Sequence, residues 1–499
     1  MSPTNSLDCG ETRPRRPARL YSNFTNYLYE TPNPIVPEKR FLLFNPSIHY
    51  WINLNDAGAA TVRSLMNAGD STRLAQDLTP YGIEDIETDV WPFVESLVRM
   101  KFFRLDVRPG ERSWVGNGLG AALGSNYPFE DLILSLGDRC NLACKYCFNA
   151  ETRGERISAG TSVRRLTADE IRRILREFKA IGGQGVTFTG GEPTLNPGFL
   201  DYCADAQASG LTVNVITNGT TLQRLDWPRL VQVLDSIHVS LDSFDDGTNA
   251  DLWGVSQHSV NGIIAGLQMA GDAAKAAHRE LRIVLKPTIT RRNLATLRQL
   301  LSSVSEALSN YPFAFDIAKY EPIGKPDIDQ ELSISSSEFE GGLSDAMQWY
   351  LTSMAPHLGD IEIRRQAALF AASHAGKHRT PSRPQTMSCV PSLFVTDAGD
   401  IYPCQALEIP EFRLGTIYEG SLQDAFSSGP FRQLREAMSR DSIEVCRECE
   451  LRWVCTDHCH GKSFAAHGKT NAFTSADTSQ CRSRVISRLS LETLPGEPS

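Results

Sequence analysis

Residues 131–148 read DLILSLGDRCNLACKYCF, an apolar run of strand length followed at once by three cysteines, Cys140, Cys144 and Cys147. The run is short and is closed by Gly137 and Asp138, the pattern of a strand that ends in a loop. Three thiols therefore stand together just past one strand's C-terminal end. Thiolates are soft ligands that select zinc or iron–sulfur clusters, and three rather than four leave a coordination position open. From spacing alone, a zinc site completed by a distant His, or cysteines that merely pack, are alternatives.

Downstream the text alternates strands with helices. The strands are DLILSL, GVTFTG, TVNVIT, SIHVSLD, LRIVLKPTI and FAFDIAKY. Between the first two, Thr167 and Glu170 form a capping box. Ile171, Ile174, Leu175 and Phe178 then make one apolar helix face, and Gly182 ends it. Six βα units over residues 130–325 predict an α/β fold, a parallel sheet curled into a partial (β/α)6 TIM-like barrel. Chemistry in that architecture gathers at the C-terminal ends of strands.

The second strand ends in Gly190-Gly191-Glu192-Pro193. The C-x3-C-x2-C loop with Tyr146 before its last cysteine, together with this turn, resembles the radical S-adenosylmethionine (radical SAM) superfamily. The resemblance implies that Cys140, Cys144 and Cys147 hold a [4Fe-4S] cluster whose fourth iron binds S-adenosyl-L-methionine. The cluster then cleaves that cofactor to a 5′-deoxyadenosyl radical. On the same resemblance Tyr146, Gly190, Gly191, Glu192 and Pro193 line the cofactor. The two glycines admit its backbone approach, and Glu192 turns negative polarity to an ammonium. Asn218, Ser240 and Asp242, at later strand ends, would contact its ribose and methionine parts. An Asn-Gly pair alone is a turn signal. Lys286, Glu321 and Lys325 also fall at the predicted barrel mouth, where a solvated charge is the plain alternative.

Of the twelve cysteines, seven more cluster near the C-terminus, and only Cys9 and Cys203 fall outside a pattern. They run Cys389-x9-Gly399-x4-Cys404, then Cys446-x2-Cys449-x5-Cys455-x3-Cys459, then Cys481. A zinc ribbon needs four. The full spacing resembles the SPASM domain, which holds two auxiliary four-iron clusters, for three [4Fe-4S] clusters in all. The resemblance implies Cys446, Cys449, Cys455 and Cys481 around one, and Cys389, Cys404 and Cys459 around the other. No eighth cysteine precedes Cys389 in HRTPSRPQTMS, so that second cluster has an iron open to water, to His374, His378 or Asp397, or to substrate. A substrate thiolate bound there would favour thioether formation. Cys203, on the helix after the Gly-Gly-Glu-Pro turn, reads as a packed thiol.

Upstream, residues 1–35 read as a tail and 36–110 as a hairpin plus three helices, a winged-helix-like module. Residues 111–126 form a Gly-rich linker and 127–330 the barrel. Residues 331–385 form a helical connection, 386–485 the cysteine-rich domain and 486–499 a tail. Residues 36–108 hold eight Lys or Arg and ten Asp or Glu, so the module has no basic footprint for DNA. Its text resembles the PqqD-like recognition element of peptide-maturing enzymes, which binds a precursor's leader as an added strand. A structural cap on the barrel is the alternative.

Over all 499 residues, 50 Lys plus Arg against 59 Asp plus Glu leave −9, which excludes broad nonspecific attraction to nucleic acid or anionic membranes. No export signal or membrane span is visible, so the cytoplasm is the expected compartment. The combined resemblance implies an oxidoreductase that modifies a ribosomally made precursor peptide, forming a thioether or carbon–carbon cross-link. Flavodoxin or ferredoxin would be its reductant. Competing readings are a maturase of a protein residue in the manner of the sulfatase maturases, a peptide epimerase, and a non-catalytic zinc adaptor.

Overall fold

The computed structural model describes residues 20–21, 26–30, 40–45, 50–68, 74–83, 90–99, 103–105, 131–147, 164–321, 331–350, 353, 392–437, 442–447, 449, 451 and 459–472. The chain divides into two compact units, residues 1–121 and 122–499. The expected linker 111–126, the tail 486–499 and connection residues 354–385 lie outside the described residues, as do Lys325, His374, His378 and Cys9.

In the first unit, β1 (Leu20–Tyr21) pairs antiparallel with β5 (Arg104–Leu105). A three-stranded antiparallel sheet is formed by β2 (Tyr27–Glu30), β3 (Phe41–Asn45) and β4 (Tyr50–Leu54), in that order. The expected hairpin is therefore the β3–β4 part of a larger sheet. The residues read as a tail supply two strands, Leu20–Tyr21 and Tyr27–Glu30, the second pairing with Phe41–Phe44 of β3. Three helices follow, α1 (Asp56–Ala68), α2 (Leu74–Leu78) and α3 (Trp91–Arg99). Phe41, Leu43 and Leu54 pack with Val62, Leu65, Leu74, Val94 and Leu97 in one core. Burying each such side chain fully contributes about 1.5–3 kcal/mol.

The second unit is built, among the described residues, on a sheet of nine strands. Six run parallel in chain order: β6 (Asp131–Ser135), β7 (Gly185–Thr189), β8 (Thr212–Thr217), β9 (Ser236–Val239), β10 (Arg282–Leu285) and, past the short β11 (Thr288–Ile289), β12 (Phe313–Phe315). β11 pairs with β13 (Ala318–Lys319) in a ladder of its own. The helices between them include α4 (Ala168–Ala180), α5 (Phe199–Ala208), α6 (Trp227–Leu230), α7 (Asp246–Trp253), α8 (Val260–Ala276) and α9 (Leu297–Ala307). The capping box predicted at Thr167 and Glu170 closes in both directions, and Ile171, Ile174, Leu175 and Phe178 are the buried face of α4. Period-2 alternation does the rest: Val213, Val215 and Thr217 of β8 are buried, while Asn214 and Ile216 point the other way and are half-buried.

Among the described residues the sheet is open and does not close into a barrel. It also does not stop at β6. After α10 (Ser336–Trp349), β14 (Ser392–Val395) pairs parallel with β6 and is followed by antiparallel β15 (Asp400–Tyr402) and β16 (Gly415–Thr416). Leu393 and Val395 sit beside Leu132 and Leu134 in register and share their core. The β6–β14 ladder places Asp131–Leu134 and Ser392–Val395 in one sheet. Beyond β16 come α11 (Leu422–Ser427), α12 (Gly429–Ala437), α13 (Glu444–Arg447) and α14 (His460–His467). Leu422 N–H donates to Glu177 and Arg173 to the Ile417 carbonyl, at 2.9 and 2.6 Å, fastening this region to α4. Among the described residues no helix is long and apolar enough to cross a membrane.

Candidate active site

The cysteine loop leaves β6, the strand with β7 on one side and β14 on the other. Its backbone is held on two flanks. On one, Gly191 N–H donates to the Gly137 carbonyl at 2.7 Å and Glu192 N–H to the Arg139 carbonyl at 2.8 Å. A Cβ on Gly190, whose φ is +134°, would lie 2.4 Å from the Gly137 oxygen, and one on Gly191 would lie 2.4 Å from the Arg139 oxygen. These glycines are required by the close approach of two backbones. On the other flank, Ala143 and Lys145 N–H groups donate to the carbonyls of Trp253 and Leu252, the last residues of α7, at 2.9 Å each. Gly254, with φ +66°, ends that helix against the Ala143 carbonyl, and the Lys145 ammonium pairs with Asp251.

Glu192 is held by the protein through both carboxylate oxygens. The side chain is buried, and its Oε1 accepts from Thr194 N–H at 3.1 Å, from the Thr194 hydroxyl, and from the Thr217 hydroxyl at 2.7 Å. Its Oε2 accepts from Asn218 N–H at 2.7 Å. The carboxylate braces the ends of β7 and β8. Burial pushes its pKa up against the pull of those donors. Pro193, itself buried, opens the single turn that follows.

Asp242 is a second brace. It is buried and accepts from Trp253 Nε1 at 3.0 Å, from Thr288 N–H at 2.8 Å, and from the Tyr146 hydroxyl. Asn293 Nδ2 donates to its backbone carbonyl at 2.9 Å. Tyr146, next to Cys147, is thereby tied across to the end of β9. Burial raises the Asp242 carboxyl and lifts the Tyr146 phenol well above its ordinary value.

The thiols fit a cationic iron–sulfur group. Cys147 N–H donates to the Cys144 carbonyl at 3.1 Å, turning the loop on itself. Burial first, and then the charges of Asp242, Cys147 and Cys140, push the Cys144 thiol far above its ordinary range. Three thiols and a carboxylate in mutual electrostatic range repel one another as anions, and bound iron reverses that sign and deprotonates them. Among the described residues no three His, Cys, Asp or Glu side chains gather on a single ion. A cluster instead offers each thiolate a different iron.

Past the strand ends the ladder continues for one more residue: Ser240 N–H donates to Thr217, Lys286 N–H to Val239 and Asp316 N–H to Leu285, at 2.9, 2.7 and 2.8 Å. Asn218, Ser240, Lys286 and Asp316 thus line one rim. Lys286 and Asp316 form a largely buried ion pair, so the solvated reading of Lys286 is overturned. Glu321 lies 3.2 Å from both Lys319 and Lys462. Several partners were not singled out from sequence: Asn141, Thr220, Trp253 and His258. Asn141 stands inside the cysteine loop and Thr220 directly after Asn218-Gly219, so proximity to the two motifs was their one signal.

Of the C-terminal cysteines, Cys404, Cys446, Cys449 and Cys459 are described, and Cys389, Cys455 and Cys481 lie outside the described residues. Cys404 caps the single turn Gln405–Leu407 and Cys459 caps α14. A Cβ on Gly461 would lie 2.5 Å from the Ala406 Cβ, so these two helix starts pack directly together. Cys449 N–H donates to the Cys446 carbonyl at 3.2 Å. Gly399 has φ +88° in the β14–β15 turn. Asp397 in that turn is buried, 3.6 Å from Arg165, which also holds Asp138 of the cysteine loop at 2.6 Å. Cys203 is wholly buried in the core.

Residues 134–301 match the radical SAM superfamily. Residues 389–450 match the SPASM iron–sulfur cluster-binding domain. An AdoMet-dependent heme synthase from Methanosarcina barkeri is 25% identical over 344 residues, 66% of this chain and 90% of that protein. Streptococcus suis SuiB bound to S-adenosylmethionine is similar in fold at 17% identity and TM-score 0.50, over 90% of this chain and 98% of that one. The anSMEcpe structure with bound AdoMet and Kp18Cys peptide is 14% identical with TM-score 0.50, over 72% and 96%. The domain matches imply S-adenosylmethionine and [4Fe-4S] clusters as cofactors. Residues 134–301 thus carry a radical SAM domain and residues 389–450 a SPASM iron–sulfur domain, the domain pair of an enzyme.

Proposed function

We propose that this enzyme modifies a ribosomally made precursor peptide, forming a thioether or carbon–carbon cross-link within it. Cys140, Cys144 and Cys147 hold the cluster that binds S-adenosylmethionine. When bound, that pair supplies a 5′-deoxyadenosyl radical able to take hydrogen from unactivated carbon. The chain's own residues fix the loop from two sides, through Gly191 and Glu192 on one and the end of α7 on the other. The rim residues Asn218, Ser240, Lys286 and Asp316 face the space beyond the strand ends.

The observation that carries the peptide reading is the N-terminal sheet. β3 is central and pairs on both edges, whereas β4 pairs with β3 alone among the described residues. An edge of this kind takes an extended segment as a further strand, the backbone giving affinity and the side chains register. A leader segment fits there. The peptide bound by anSMEcpe, a neighbour of the same fold, supports a peptide substrate.

In the SPASM domain, Cys404 and Cys459 with Cys389 would hold one auxiliary cluster, and Cys446 and Cys449 with Cys455 and Cys481 the other. The packing of Ala406 on Gly461 supports the first grouping, since it brings two helix starts capped by cysteines together. The remaining iron of that cluster is open for a substrate thiolate. A flavodoxin or ferredoxin would reduce the clusters.

Deleting residues 1–110 tests the leader reading. The truncated enzyme is expected to keep its iron and its reductive cleavage of S-adenosylmethionine, and to lose modification of the precursor peptide found by co-expression with neighbouring short reading frames. Full modification of a leader-bearing precursor by the truncated enzyme would sink it. For the bond type, a loss of two hydrogens by mass marks a cross-link. A precursor cysteine that stays alkylatable in the product excludes the thioether.

A further inference from the structure

We infer that Asn218 acts on the cluster ligand Cys140, as the donor in a closed ring of side-chain hydrogen bonds, rather than on the ribose or methionine of the cofactor. The inference rests on Cys140 as a cluster ligand.

The ring has three members. Asn218 Nδ2 donates to Asn141 Oδ1 at 3.0 Å, Asn141 Nδ2 donates to Thr220 Oγ1 at 2.7 Å, and Thr220 Oγ1 donates to Asn218 Oδ1 at 2.6 Å. Each member donates to the next, so the bonds polarise one another in one sense. The arrangement also settles which way each amide points. Asn218 Oδ1 accepts from Thr220 N–H at 3.0 Å as well as from its hydroxyl, so the oxygen faces Thr220 and the nitrogen faces the cysteine loop. One Asn218 N–H is used in the ring. The other reaches Cys140 Sγ at 3.7 Å, within hydrogen-bond range of sulfur.

Asn141 is accounted for in the same way. Its second N–H meets His258 Nε2 at 3.2 Å. Burial, and then the charge of Arg224, hold the His258 imidazole below its ordinary pKa, so the neutral ring accepts at Nε2. With this contact the ring draws together three segments: the cysteine loop, the end of β8 and the loop before α8.

A turn alone does not explain Asn218. Gly219, at φ +78°, makes the turn, and the side chain's contribution to it is the acceptor Oδ1. Turn formation leaves the amide nitrogen without a task, and an aspartate would serve as well. The ring and the sulfur contact are what need the amide. A hydrogen bond donated to a cluster thiolate withdraws electron density from sulfur and stabilises the reduced cluster, raising its potential.

The test is a redox titration by electron paramagnetic resonance on the anaerobically purified full-length enzyme. S-adenosylmethionine is the probe, because the signal it perturbs belongs to this cluster. Asn218→Asp keeps the turn acceptor and removes the donor, Asn218→Leu removes both, and Thr220→Val opens the ring with Asn218 in place. At a fixed poise the ratio of reduced to oxidised cluster is expected to fall about three- to tenfold in the Leu variant, the scale of one lost hydrogen bond. It should fall further in the Asp variant, and less but in the same direction in Thr220→Val. Iron content should be unchanged. An unmoved ratio in the Asn218 variants overturns the inference, and if those variants fail to load iron, an unmoved ratio in Thr220→Val does so. Cys140→Ala separates the two levels. A retained S-adenosylmethionine-responsive signal there refutes the ligand itself, whereas its loss beside unmoved Asn218 variants refutes the ring's role alone.

Discussion

The Gly191 amide donates to the Gly137 carbonyl at 2.7 Å, so the turn after β7 is stitched to the loop that carries the cluster cysteines. Two sequence motifs 50 residues apart, Cys140 and Gly190 onward, are one structural object. The first glycine is held at a positive φ and the second lies against the Arg139 carbonyl.

Gly191→Ala is expected to displace the cysteine loop, because its methyl would sit 2.4 Å from backbone that cannot yield as a side-chain tip can. The cost is about 2–4 kcal/mol of stability, in the range of overpacked sites. Iron and sulfide analysis should find about four irons fewer per chain than in the parent enzyme, the loss of one cluster.

Tyr146→Phe removes a donor from the buried Asp242 carboxylate while keeping the ring in place. Leaving a buried acceptor short of one partner costs about 1–3 kcal/mol. Thermal denaturation should show that loss. Iron content should hold, since Trp253 and Thr288 still fix Asp242.

Glu192→Gln places an amide NH2 among donors from Thr194, Thr217 and Asn218, and should destabilise by about 2–3 kcal/mol near neutral pH. The pH dependence has a definite sign. Burial raises the Glu192 pKa in the fold, so the folded state holds this proton more tightly than the unfolded one. Its contribution is fully present below the unfolded value of about 4.3 and is lost as pH rises through the folded value. Melting curves at several pH values should therefore show the gap between parent and variant narrowing as pH rises through that window.

Ending the chain at residue 385 removes β14 and leaves β6 as a bare edge, with Leu132 and Leu134 stripped of Leu393 and Val395. Exposed apolar edges pair with other chains. The truncated protein is expected to aggregate, and a monomeric, iron-loading fragment on size exclusion would refute the shared sheet.

Much of this was legible beforehand. Alternating and short apolar runs gave all six parallel strands, and the Thr167–Glu170 capping box gave the start of α4, since these signals are local. The β14–β6 pairing was hidden because nothing in the text of Ser392–Val395 names its partner, and the Pro- and Ser-rich text before it reads as a boundary. Tyr27–Glu30 was lost to the tail because it is short and flanked by Asn and Pro. At the site, the residue types were visible and their directions were not. Glu192 and Asp242 each accept from donors on neighbouring strand ends, and only the register of those ends decides which donors they meet.

The most direct test of the account is the triple variant Cys140→Ala, Cys144→Ala, Cys147→Ala, assayed anaerobically with dithionite and S-adenosylmethionine for 5′-deoxyadenosine. The parent should hold about twelve irons, three four-iron clusters, and release 5′-deoxyadenosine. The variant should hold about eight and release none. Continued formation of 5′-deoxyadenosine by the variant at the parent's rate would contradict the assignment of the cluster to these three cysteines.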